Sequence, residues 1–361
     1  MRYALDQNQK LVYLTNATQA RALQAQRTGG FFCPDCGQGL KICYSKNNRP
    51  YFAHRPLLSQ NSYEGPLHVW GKTVLHHALQ TLKLAHDVEL LTAQGDRRAD
   101  IAVALPTITT ALEWQCANIS QKEVYQRTLS YQARGMAVQW LLGPNYAFRG
   151  RLSKRLQQYL NYRKDLGFYL VYLLPDSGRL QLIHHIAQLE LRPKVVFTRD
   201  SYELPQGLNL LLQQSGNITA PQKAYQGLSL PQKYQVIQRR LVKRDRQLQA
   251  LQHRCYQQQH QLQNLPSVCF SQYHLPPVFQ EVSCWVNCRL LLLLEQQSQW
   301  DYQDLLGQYQ QLVRKKPPLV VQQPQWLKYC FDLFLNRLVT QNWLWQKADT
   351  FHINSAKLST W

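Results

Sequence analysis

The stretch RRADIAVALPTITTALEWQC, Arg97 to Cys116, limits the fold more than any other part of the chain. Its residues favour strands almost throughout, yet two carboxylates are set among them. Two apolar runs in succession predict a hairpin. Alternation in the second run puts Glu113 and Gln115 on one face, with Leu112, Trp114 and Cys116 on the other. In the first run Asp100 shares a face with Ala102 and Ala104, while Ile101, Val103 and Leu105 point the other way. Small residues beside an acid leave room, and bulky ones behind it build core, so the pair suits a cleft.

Carboxylates held close on adjacent strands repel, and they either share a proton or bind a cation. An all-oxygen site of this kind suits Mg²⁺ or Mn²⁺, which can polarise a phosphodiester and supply hydroxide. The alternative is a surface hairpin whose acids pair with Arg97 and Arg98. Upstream, SYEGPLHVWGKTVLHHALQTLKL predicts a helix with Pro66 in its first turn and an apolar stripe of Leu67, Trp70, Val74, Leu75, Ala78, Leu79 and Leu82. Glu64, His68 and Lys72, spaced by four, line the other flank and could supplement a metal or hold a phosphate, or form an ordinary solvated face. Downstream, Ser120 and Glu123 make a capping box, and the helix they start offers Lys122, Arg127 and Arg134 to phosphates. MAVQWLLG then closes the sheet.

Near the N-terminus, FFCPDCGQGL sets Cys33 and Cys36 around a tight turn, a spacing that lets two thiolates converge on zinc. A structural zinc needs four ligands, and His54 and Cys43 are the candidates for the other two. A turn over residues 46–49 would put Cys43 and His54 on one face of a hairpin. The alternative is that these cysteines are simply small buried residues.

The chain divides by pattern into four parts. Residues 1–60 are short strands and turns, and 61–150 read helix, three strands, helix, strand. Residues 151–212 are a β-rich extension that starts with a basic helix, RLSKRLQQYLNYRK, and continues as a hairpin turning at Pro175 to Gly178. Residues 213–361 are mainly helical after a linker-like stretch that ends near Pro231. There QRRLVKRDRQLQALQHRCY predicts a basic helix with Arg239, Arg240, Lys243, Arg244 and Arg246 clustered, and Cys284 and Cys288 read as core. An excess of 41 Lys and Arg over 21 acids, net +20, suits a polyanion partner. No apolar run is long enough for a membrane span, and the nine irregularly spaced cysteines argue for reduced thiols and a cytoplasmic location.

Taken in order, CPDCG, YFAH, LHVWGK, RRADIAV and LEWQCANISQKEVYQRTLSYQARGMAVQWLLG resemble the competence protein CoiA family over roughly residues 1–210. The resemblance implies an α/β fold. It has a restriction-endonuclease-like central sheet flanked by helices, a zinc-ribbon-like N-terminal β element and a mainly helical C-terminal region. It implies DNA processing during natural transformation, with a PD-(D/E)xK motif in which Asp100 and Glu113 hold Mg²⁺ or Mn²⁺ and Glu64 assists. Gln115 stands where the wider nuclease class has lysine; a neutral amide positions water but supplies no charge. Lys72 or Lys122 could replace that charge. Relatives often have a histidine at Tyr51 as well as at His54, so the zinc set departs from the family here. The implied partners are single-stranded DNA and recombination or DNA-processing proteins. The second reading is a catalytically inactive DNA-binding accessory factor that helps load recombination proteins.

Overall fold

The computed structural model describes residues 3–25, 30–34, 37–45, 48–54, 65–90, 99–213, 227–271, 274–313, 323–358 and 361, and the architecture below refers to these. The N-terminal unit comprises β1 (Tyr3–Leu5), β2 (Leu11–Tyr13), α1 (Ala17–Ala25), β3 (Phe31–Phe32), β4 (Gly39–Tyr44) and β5 (Pro50–His54). Its strands form one antiparallel sheet in the order β2-β1-β3-β4-β5. Ala4, Leu14, Ala20, Leu40 and Phe52 make a small core on one face.

The expected order of helix, three strands, helix and strand is present as α2 (Pro66–Thr81), β6 (His86–Val88), β7 (Ile101–Ala104), β8 (Thr109–Gln115), α3 (Gln121–Gln132) and β9 (Ala137–Leu142). Strands β6, β7 and β8 form an antiparallel meander, and the α3 crossover returns β9 parallel to β8. The sheet does not end at β9, as expected from MAVQWLLG. It continues through α4 (Lys154–Gln157), β10 (Asn161–Arg163), β11 (Gly167–Leu174), β12 (Arg179–Gln188), β13 (Val195–Glu203) and α5 (Leu204–Gln213). β11 pairs parallel with β9, so the order is β13-β12-β11-β9-β8-β7-β6 with β10 beside β11. The 61–150 and 151–212 segments thus share one sheet. The hairpin turn at Gly178 forms as expected, with its N–H bonded to the Leu174 carbonyl at 2.8 Å.

The basic helix expected from Arg151 onward shrinks to the single turn of α4. The run from Leu156 to Leu160 is buried at every residue, whereas a surface helix buries one stripe, and the chain instead passes into β10.

Both faces of the central strands are covered, as parallel pairing requires. Leu141, Val171, Leu173 and Leu182 pack against Leu75 and Leu79 of α2 and Leu208 of α5. From the other face, Trp140, Leu142, Leu170 and Tyr172 meet the C-terminal region. That region comprises α6 (Leu230–Val242), α7 (Arg246–Gln257), α8 (Ser283–Leu294), β14 (Gln299–Asp301), α9 (Tyr302–Val313), α10 (Gln323–Thr340), β15 (Leu344–Lys347), β16 (Thr350–Ile353) and α11 (Ser355–Leu358). It is mainly helical, as expected, with a small sheet ordered β14-β16-β15.

The expected basic helix of this region is two helices. Arg244 turns to φ +53°, and Asp245 caps α7 by accepting from the N–H groups of Gln247 and Leu248. Cys284 and Cys288 are buried core residues of α8, as read from their spacing. Of the stretch read as a linker, residues 214–226 lie outside the described set. Among the described residues no helix is long and apolar enough to cross a membrane.

The α2 to β8 contact tolerates no side chain at Gly71, because a Cβ there would overlap the Trp114 indole. Gly71→Ala is therefore expected to destabilise the chain by about 1–3 kcal/mol through overpacking, although alanine is the better helix former. Urea unfolding checks this; an unchanged midpoint would show that α2 and β8 do not meet this closely.

Candidate functional site

Asp100 sits at a bend immediately before β7, and Glu113 is the fifth residue of β8. The register pairs Ile101 with Leu112, so one step further along the ladder brings Asp100 opposite Glu113. The Asp100 carboxylate is fixed from two sides: Oδ2 accepts the backbone N–H of Trp114 at 2.8 Å, and Oδ1 lies 3.1 Å from His68 Nε2 on α2. His68 on α2 thus lies beside the Asp100 carboxylate.

Glu113 is 2% exposed, and both of its oxygens are engaged by α3. Oε1 accepts from the Tyr131 hydroxyl at 2.5 Å, and Oε2 from Arg127 Nη1 at 3.2 Å. Burial, then the charge of Asp100, raises the Glu113 pKa to about 7, against the lowering effect of Tyr131 and Arg127. The same burial, helped by Asp100, pushes the Cys116 thiol to about 12, so it stays protonated and unreactive. Burial and the Glu113 charge also push the Tyr131 phenol well up, keeping it a donor.

Other expected residues fall in different places. Arg127, expected to meet phosphates, turns inward to Glu113 and also bonds Glu123 Oε1 at 3.0 Å. Lys122 is exposed in the first turn of α3, which Ser120 caps as expected. Gln115 is buried and gives its amide to the Ala117 carbonyl at 2.5 Å. Lys72 is not on a solvated face: it is 6% exposed and ion-paired with Glu89. Glu89 in turn donates its backbone N–H to the Asp100 carbonyl at 2.9 Å, which places this ion pair beside the acids. Glu64, and the alternative partners Arg97 and Arg98, lie outside the described residues.

Tyr131 and Glu89 escaped the sequence reading. Tyr131 follows Arg127 by four residues and so lies on the same helix face, a usable signal. Glu89 gives none, because nothing in HDVELL shows that the chain folds back against α2 there.

The second expected constellation is partly corrected. Tyr44 pairs with Pro50 and Cys43 with Tyr51, because Ser45 and Arg49 close the turn one residue earlier than expected. A slip of one residue reverses the face. Cys43 therefore points away from the side that holds Leu40, Phe52 and His54, and it lies at the far end of β4 from Cys33. Cys33 and His54 do share a face, since Phe31 and His54 both pair with Leu40 and the Cys33 N–H extends the ladder to Gln38. Cys36 lies outside the described residues.

Comparison with known proteins shows what this mixed sheet, with Asp100 opposite Glu113 where β7 and β8 adjoin, is similar to. Residues 64–215 match the family model described as the nuclease-like domain of competence protein CoiA. This segment is a CoiA-family nuclease-like domain. The competence protein CoiA of Bacillus subtilis (strain 168) is 29% identical over 136 residues, 37% of this chain. The match spans 36% of that relative's own length. No solved structure matches the chain.

The raised Glu113 pKa has a definite sign in stability. The folded chain holds this proton up to about pH 7, whereas the unfolded one releases it near 4.5, so stability falls as pH rises between those values. The loss is about 3 kcal/mol at most. Glu113→Gln removes that titration, so its stability relative to wild type should be higher at pH 8 than at pH 5. Urea unfolding at both pH values checks this, and a relative stability that moved the other way would contradict the assignment.

Proposed function

We propose that the 61–150 segment carries a restriction-endonuclease-like core that cleaves internalised DNA with a divalent cation during natural transformation. The supporting observation is the Asp100 carboxylate held by the Trp114 N–H, which fixes it beside Glu113. The donor set fits the ion: both side chains offer hard oxygens, and the charge crowding that raises the Glu113 pKa is what a cation relieves. When bound there, Mg²⁺ or Mn²⁺ supplies Lewis acidity toward a phosphodiester.

The chain's own residues do the rest. His68 orients Asp100, and Tyr131 and Arg127 orient Glu113. Gln115 spends its amide on the Ala117 carbonyl, so Lys72 provides the positive charge that the motif lysine gives elsewhere. The net charge of +20 draws the DNA backbone, and affinity falls steeply with salt.

One observation favours the second reading. Both Glu113 oxygens already have protein donors, as in a site kept for structure, and the chain would then bind DNA and assist recombination proteins without cutting it.

Cleavage of single-stranded DNA in Mg²⁺ or Mn²⁺ separates the two. Asp100→Ala and Glu113→Ala should each lower the rate by about 100-fold or more, with DNA binding retained. The pair Lys72→Met with Glu89→Gln, which leaves no unpaired charge, should lower it by about tenfold or more. Equal rates in all variants would remove the catalytic proposal. Binding without cleavage by the wild type would establish the accessory role.

We also propose a structural zinc on the N-terminal sheet with Cys33, Cys36 and His54 as three of its four ligands, and without Cys43 as the fourth. Metal analysis should find about one zinc per chain, retained in Cys43→Ser and lost in Cys33→Ser. Zinc lost in Cys43→Ser would reverse this assignment.

A further inference from the structure

The basic cluster of α6 and α7 takes no part in the site on β7 and β8, and it does not stand alone. RRLVKRDR (239–246) spans the junction of those helices, RGRLSKR (149–155) leads into α4, and RPKVVFTR (192–199) leads into β13. Together the three segments hold twelve lysines and arginines and one acid, against 41 to 21 for the whole chain. Cations crowded this closely repel one another, a cost that an anionic partner removes.

The fold brings the three together. Gly150, at φ +73°, turns the chain so that its carbonyl accepts the Val195 N–H at 3.0 Å, and Arg199 Nη2 donates to the Phe148 carbonyl at 3.3 Å. A cavity of about 320 Å³ joins the third segment to the other two, since Leu152, Arg192 and Val195 line it with Arg240, Asp245 and Gln247. Arg151, Lys154, Arg192, Lys194, Arg244 and Arg246 are all exposed. Among the described residues none of these six is ion-paired. The neighbouring acids are committed elsewhere. Glu190 accepts from Lys233 at 3.2 Å, Glu281 from Arg289 at 2.6 and 2.9 Å, Asp200 lies 2.8 Å from His184 Nε2, and Asp245 caps α7.

We infer that these three segments form one surface that holds the phosphodiester backbone of duplex DNA without reading its bases. No Phe, Tyr or Trp of the segments is exposed, so the bases of a single strand find no ring to stack on, and the duplex carries the denser charge. Val242 is their one exposed large apolar residue, too little to enter a lipid surface. In the sheet order β13 is four strands from β8, roughly 19 Å at the spacing of paired strands, so the surface is separate from the acids. The inference rests on DNA as the partner proposed above, and it is independent of cleavage.

Binding of a labelled duplex to the full chain, with chelator present so that nothing is cut, tests it. Arg151→Gln, Lys194→Gln and Arg244→Gln together change one residue per segment. This triple should weaken binding by about tenfold or more and lessen the slope of log affinity against log salt by about two to three. A control triple of exposed lysines elsewhere, Lys10→Gln, Lys41→Gln and Lys347→Gln, has the same net charge and should stay within about twofold of wild type. Should the first triple not fold, Lys154→Gln, Arg192→Gln and Arg246→Gln together repeat the test with other exposed side chains. Duplexes of unrelated sequence should bind alike. Equal losses in the surface and control triples, or a loss confined to single strands, would overturn the surface. So would phosphatidylserine vesicles that bind the wild type and not the surface triple while duplex binding is unchanged. Wild-type affinity that survives both surface sets would remove this surface alone, whereas a wild type that binds no DNA would remove the proposed partner and this surface with it.

Discussion

Trp114 is the residue on which the nuclease-like half of the chain depends. Its backbone N–H fixes the Asp100 carboxylate, and its indole N–H donates to the Leu67 carbonyl of α2 at 3.2 Å while the ring lies against Gly71. One side chain thus locks α2 to the sheet, and the same residue's backbone sets the position of an acid. Because Glu113 immediately precedes it, any shift of β8 that loosened the indole would also move both carboxylates. The position of the site follows from the packing of the core.

The second constraint is electrostatic. An acid buried as deeply as Glu113, beside another acid, does not ionise readily, and its protein donors recover only part of the cost. Tyr131 and Arg127 come from α3, the crossover that makes β9 parallel to β8, so the parallel connection delivers the groups that steady the acid. The opposite flank is supplied by α2, through His68 to Asp100 and through Lys72 to Glu89. Helices on both sides of the strands therefore converge on one pair of carboxylates.

What could be read from the sequence was what alternation encodes. Asp100 and Glu113 meet because strand periodicity is two and the hairpin register follows from it. On the helices, spacing by four put His68 on the flank that meets Asp100, but it showed neither the inward turn of Arg127 to Glu113 nor the burial of Lys72, which depends on Glu89 arriving from a distant turn. Cys43 was misplaced by one residue of turn length, a detail that side-chain pattern does not encode and that reverses a face. The short α4 was obscured because LQQYL has good helical residues and is buried on every side only in the folded chain. The continuation of the sheet past β9 was hidden too, since Gly167 to Leu174 reads as a strand whatever its neighbour.

That continuation explains why the C-terminal region is not a detachable appendage. β9 and β11 are interior strands, and a parallel interior strand exposes an apolar surface on both sides unless each is covered. The α2 and α5 layer covers only one. Trp140, Leu142, Leu170 and Tyr172 on the other side belong to the same core as Trp285 of α8 and Phe331 and Phe334 of α10. A chain cut near residue 213 would leave those aromatic residues facing water, an apolar patch of the kind that drives association. The C-terminal region thus covers the back of the sheet that holds the acids. Side chains of α8 and α10 share one core with those of β9, so a change in their packing is felt at the sheet.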